Sequence, residues 1–175
     1  FINCLGHVHV TCANVPETLE LQRQGGILGL FSTVMTDEDR KRSSVNLEDG
    51  EEKFERICPI AKTYGAALVV GTIDEDKQQA QAFTRERKLA VARRSVDLLT
   101  GKYSIPATDL IIDPLVFPCA TGDENYIGGA VETIEAIRLI KENIPLAKSI
   151  LGVSNISFGL PAAAREVVNS VFLYY

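Results

Sequence analysis

Two side chains stand where chemistry can be done. Asp113 lies in "IIDP", after two isoleucines and before a proline, and Asn155 closes the strand-like run of "LGVSNISFGLP". A carboxylate at the end of a buried strand can accept paired hydrogen bonds from an N–H/NH2 edge, such as that of a 2-aminopyrimidinone. An asparagine amide offers both a donor and an acceptor, so it can face a ring nitrogen whether or not that nitrogen is protonated. That is useful where a leaving nitrogen must gain a proton during reaction. Each residue also has a purely local reading: an Asp before Pro114 makes a turn, and so does an Asn after a strand. Gly152, three residues before Asn155, would let the backbone approach a flat ligand closely. Asp123 and Glu124 in "ATGDENY" read as polar loop residues. His7 and His9 in "GHVHV" could place two rings on one strand face, but no third ligand accompanies them, and no metal site is expected.

Something must hold these groups together, and from residue 43 onward the chain alternates strand and helix. "SSVN" leads into a helix that Asp49 and Glu52 should open as a capping pair, with Phe54, Ile57, Cys58 and Ala61 on its inner face. Pro59 should kink that helix, and Gly65 should end it. "AALVVGTI", residues 66–73, is an unbroken apolar run of the kind that a parallel strand needs when both faces are covered. After the loop "DEDKQQAQAF", residues 84–100 give a helix with Leu89, Ala92, Val96 and Leu99 inward; Arg85, Arg87, Lys88, Arg93 and Arg94 are expected on its solvated side. "DLIIDPLVF" is the third strand, followed by a helix with Val131, Ile134, Ile137 and Ile140 as its buried stripe. "KSILGVSN" is the fourth strand, and "PAAAREVVNSVFLYY" its helix, with Pro161 at the first position.

Four βα units in series predict an α/β protein with parallel strands. Asn46, Asp74 with Glu75, Asp113 and Asn155 all fall at C-terminal strand ends. In a (β/α)8 barrel such ends converge on one mouth, whereas an open sheet brings only its switch-point strands to a ligand. With no G-x-G-x-x-G turn and no P-loop, the barrel is favoured. A complete barrel takes about 250 residues, so the 175 present predict an incomplete one. The abrupt "VFLYY" ending reads as part of something larger.

Composition narrows the function. The net charge of −5, with no dense Lys/Arg block, gives phosphate neutralisation little to work with, and no nucleic-acid partner is expected. No apolar run approaches the ~20 residues that cross a bilayer, and Phe1-Ile2-Asn3 does not open a signal peptide. Cys4, Cys12, Cys58 and Cys119 form no C-x-x-C pair and read as reduced thiols of a cytoplasmic protein.

"VNLEDGEEKFERICPIAKTYGAALVVGTIDE", "TRERKLAVARRSVDLLT", "DLIIDPLVFPCATGDENYIGGAVETIEAIRLIK" and "LGVSNISFGLPAAAREVVNSVFLYY" resemble the pterin-binding (methyltetrahydrofolate) domain of the cobalamin-dependent methionine synthases. That domain belongs to the dihydropteroate synthase-like superfamily. The resemblance runs from about Val45 to Tyr175 and implies a (β/α)8 TIM barrel with the pterin at its C-terminal mouth. It divides the chain into a divergent segment, 1–42, and a pterin-binding partial barrel, 43–175. It further implies transfer of the N5 methyl of 5-methyltetrahydrofolate to cob(I)alamin, held on another domain of the same or a partner polypeptide, and then to homocysteine. Asp113 matches the aspartate that grips the pterin ring, and Asn155 matches the asparagine near N5 and is the expected catalytic residue. Gly152 and Ser154 share its binding segment. Asn46 is kept from the family's "INSVNLEDG", while Ser43 stands where the family has a further pterin-binding asparagine.

The match departs from the family in three places: Ser43, an N-terminal region without an "IDST"-type aspartate, and the long loop "DEDKQQAQAF". Two other functions therefore stay open. One is a dihydropteroate synthase-like enzyme, which needs a basic anion site for which Arg165, expected to face solvent, is the late candidate. The other is an inactive pterin-binding remnant. Neither a cobalamin-binding D-x-H-x-x-G nor a cysteine-rich zinc site occurs in the sequence, so the full synthesis of methionine is not expected of this segment alone.

Overall fold

The structure, a computed structural model, describes residues 44–175. Ser43, His7, His9, Cys4, Cys12 and the segment 1–42 lie outside the described residues. Four strands alternate with four helices: β1 (Ser44–Val45), α1 (Gly50–Tyr64), β2 (Leu68–Gly71), α2 (Arg85–Gly101), β3 (Leu110–Asp113), α3 (Gly129–Asn143), β4 (Lys148–Ser149) and α4 (Ala162–Tyr174). The strands pair in parallel in chain order, β1-β2-β3-β4. Doubly wound sheets reverse their order at a switch point; these four strands do not.

The core follows from the helix stripes closing on the sheet. Phe54, Ile57, Cys58 and Ala61 of α1 are buried as their spacing predicts, against Val45, Leu68 and Val70. Gly65 ends α1 in a left-handed conformation (φ 61°), its N–H bonded to the Ala61 and Lys62 carbonyls. α1 runs through Pro59 as one helix. Thr84 caps α2 by accepting from the Arg87 N–H, and Ala92, Val96 and Leu99 lie inside with Leu89 packed at the margin.

Several expectations are corrected. The chain enters α1 through a 3₁₀ turn, Leu47–Asp49, and the Asp49 side chain does not cap the helix. Its carboxylate accepts from the Asn46 N–H (2.9 Å) and pairs with Lys53 (2.7 Å). The buried face of α3 is Gly129, Thr133, Ala136 and Ile140, whereas Val131 is 54% exposed. Small residues let α3 pack closely on α2, and Ile134 turns instead to a second apolar cluster with Val116, Ile156 and Phe172. The fourth strand is two residues long rather than eight. Beyond Ile150 the chain bends into a 3₁₀ turn, Val153–Ser157, so Asn155 sits on a turn and not at a strand tip. Pro161 precedes α4 as its cap residue. Lys88, placed among solvated residues by its neighbours in sequence, is completely buried.

Candidate functional site

The polar rim begins with strand register. Gly71 pairs with Asp113 across β2 and β3, and the Thr72 N–H donates to the Asp113 carbonyl (2.9 Å). From β1, the Asn46 amide oxygen reaches over and accepts from the Gly71 N–H (3.1 Å). A Cβ on Gly71 would come within 2.5 Å of that oxygen, so only glycine lets the amide settle there. Asn46, Gly71 and Asp113 are thus neighbours along one edge.

The other side of the site repeats this device. A Cβ on Gly152 would meet the Asn155 amide nitrogen at 2.9 Å. The glycine expected to admit a flat ligand makes room first for the side chain of Asn155. Main-chain bonds build the turn itself: the Asn155 N–H donates to the Gly152 carbonyl, and the Phe158 N–H to the Asn155 carbonyl. Arg165 is half-buried rather than solvated. Its guanidinium donates to the Ser157 hydroxyl (3.2 Å) and the Ser154 carbonyl (3.3 Å), tying the turn to α4. The Cys119 N–H donates to the Ile156 carbonyl (3.0 Å), tying the turn to the loop that follows β3.

Asp113 and Asn155 line a single cavity of about 290 Å³, together with Gln81, Leu115, Phe117, Gly152 and Phe158. That volume is near the lower end of small-molecule sites, about 300–1,000 Å³. Asn46 and Ser154 are not in its lining, and Asn46 is engaged with Gly71. Gln81 and Phe117 also line a neighbouring hollow with Gln78, Gln79, Phe83, Asn125 and Tyr126.

Electrostatics single out Asp113. It is half-buried, and desolvation raises its pKa above the usual carboxylate value; the Leu115 N–H bonded to Oδ1 (2.9 Å) and the charge of Lys88 pull the other way. Leu115 adopts a left-handed conformation, φ 62°, which costs a branched residue about 1–2 kcal/mol. By contrast, Asp74 and Glu75 are spent in ion pairs with Arg87 (2.9 Å) and Arg94 (2.6 Å). Asp123 caps the 3₁₀ turn Glu124–Tyr126. None of these needs a ligand. Among the described residues no group of His, Cys, Asp and Glu could hold a metal ion, and no helix is long and apolar enough to cross a membrane.

Spacing alone did not point to Gly71, Lys88, Gln81 or Phe117. Only Lys88 left a signal: it lies three and four residues before Val91 and Ala92, on the buried face of α2. Gly71→Ala tests the Asn46 contact. The new methyl should displace the amide and break its bond with the Gly71 N–H, costing about 1–3 kcal/mol of stability, which a thermal melt would read.

The family described as "Pterin binding enzyme" matches residues 39–175. The chain is 44% identical over 135 residues to the methionine synthase of Mycobacterium tuberculosis (strain ATCC 25618 / H37Rv), an alignment that takes in 75% of this chain and 11% of that protein. The methionine synthase of Mycobacterium leprae (strain TN) gives the same identity and coverage. The chain therefore spans about a ninth of the length of these curated relatives. With a family match over well more than half of its residues, and with Asp113 and Asn155 facing one cavity, the chain belongs to the pterin-binding enzyme family.

Proposed function

We propose that this chain is the folate-binding methyltransferase unit of a methionine synthase. It holds 5-methyltetrahydrofolate for transfer of the N5 methyl group to cob(I)alamin carried on a separate domain, and from there to homocysteine. The observation that carries this reading is the meeting of Asp113, Gly152 and Asn155 in one cavity. We read the sheet as an arc of a (β/α)8 barrel, which its parallel strands in chain order support, with residues 43–175 as the pterin-binding unit. The two free thiols among the described residues, Cys58 and Cys119, suit a cytoplasmic protein.

The roles follow from what each side chain has left to give. Asp113 has one oxygen on the Leu115 N–H; the other has no hydrogen bond among the described residues and is placed to accept from the pterin's N–H/NH2 edge. Asn155 makes no side-chain hydrogen bond among the described residues, so its amide can turn either its oxygen or its NH2 toward N5. When the methyl group leaves, the C–N electron pair stays on N5, which must take up a proton. Favouring protonated N5 lowers that barrier.

Arg165 separates this reading from a dihydropteroate synthase-like one. The cation nominated for an anion site is committed to Ser157 and Ser154. Calorimetric titration of the chain with 5-methyltetrahydrofolate should show one saturable site. Absence of saturable binding overturns the proposal, and pyrophosphate release from a pterin pyrophosphate would favour the alternative enzyme.

A further inference from the structure

A buried lysine ordinarily finds a carboxylate. Lys88 does not: no ion pair among the described residues includes it. Its ammonium group instead donates to the carbonyls of Pro114 and Leu115 and lies 4.8 Å from the centre of the Phe117 ring. The Leu115 carbonyl takes a second bond from the Thr133 hydroxyl (3.0 Å). On the other side of the same residue, the Leu115 N–H holds Oδ1 of Asp113. Two donors from two helices thus converge on one left-handed residue, and that residue grips the carboxylate of the site.

We infer that Lys88 is a positioning residue. Together with Thr133 it fixes the Leu115 peptide, and through it turns Asp113 so that one oxygen stays free for the ligand. The same ammonium charge, acting at longer range, favours the ionised carboxylate against the burial that raises its pKa. Burial pushes Lys88 down to about 8, while Asp113 and Glu132 raise it. The charged groups around Asp113 are Lys88 from α2 and, beyond it, Glu132 from α3, itself paired with Arg85 (2.6 Å). The consequence for folate affinity rests on the functional reading above; the coupling of Lys88 to Asp113 does not.

Nuclear magnetic resonance on the full 175-residue chain tests it without ligand, by following the Asp113 carboxyl carbon and the Leu115 amide through a pH titration. In the parent both should move with one midpoint. In Lys88→Met the Asp113 midpoint should rise, because a nearby positive charge is gone, and the Leu115 amide should stop following it. Thr133→Val removes only the neutral donor, so the midpoint should hold while the amide's response weakens. Affinity for 5-methyltetrahydrofolate should fall by at least about 10-fold in Lys88→Met. A residue that merely fills space would lower the melting temperature and leave the midpoint alone. An unchanged midpoint and amide response in Lys88→Met overturn the inference. Should that variant fail to fold, an unchanged amide response in Thr133→Val does so. Parent protein that behaves as expected in the titration yet binds no folate defeats the functional reading and leaves the positioning role standing.

Discussion

Asp113→Asn should lower affinity for 5-methyltetrahydrofolate about 100-fold, the scale of one charge-assisted hydrogen-bond pair, and should raise the melting temperature of the unliganded chain at neutral pH. The two effects share one cause. Burial raises the pKa of Asp113, so the folded state holds the proton more tightly than the unfolded chain does. Stability from this group is therefore fully present below the unfolded pKa, about 3.9, and is lost as pH rises through the elevated folded value. At pH 7 the ionised carboxylate opposes folding, and the neutral amide removes that opposition. Its oxygen can still accept from the Leu115 N–H, so the local turn survives. On the proposed function its NH2 group, however, would face the donor edge of the pterin, where an acceptor is needed. Binding by the parent should weaken as pH falls through the raised pKa, and the variant should show no such limb. Calorimetry between pH 4 and 8 with parallel thermal melts decides it. A variant that loses stability and binding together would mean that Asp113 serves the fold and not a ligand.

How far the sequence reaches is set by which interactions are local. The inner face of α1 is legible because Phe54, Cys58 and Ala61 repeat at helical spacing and one side of the helix meets the sheet. α3 is legible only in part: Ile140 is buried as its spacing predicts, but Ile134 turns to the second cluster, Val131 is exposed, and the small residues Thr133 and Ala136 complete the buried face. Asp113 and Asn155 were expected in one mouth, and they do line one cavity. The route differs from the one expected, since Asn155 arrives on a turn braced by Arg165 and Cys119, not at the end of a strand. Contacts across tens of residues leave no periodic trace. The Asn46–Gly71 approach spans 25 positions and the Lys88–Pro114 bond 26. A lysine in "RERK" looks solvated until the loop that needs its ammonium group is in place.

On the proposed function, the sharpest division between holding the pterin and transforming it should fall on Asn155. Asn155→Ala should cut the single-turnover rate of methyl transfer to added cob(I)alamin by about 100-fold, the effect of losing a hydrogen bond that favours protonated N5 in the transition state, while weakening folate binding no more than about 10-fold. The backbone argues that the effect will be local. Main-chain bonds from Asn155 to Gly152 and from Phe158 to Asn155 close the turn, and Arg165 braces it through Ser157 and the Ser154 carbonyl. None of these uses the amide that alanine removes. Its loss leaves open space above Gly152, which now needs no glycine to avoid a clash. The double variant Gly152→Ala/Asn155→Ala should therefore be as stable as Asn155→Ala, whereas Gly152→Ala alone should disturb the amide and lose rate. The split between rate and affinity is the decisive reading, because binding favours the pterin as it arrives and the rate reports the proton that N5 must gain. Equal losses in rate and affinity would demote Asn155 to a simple binding contact.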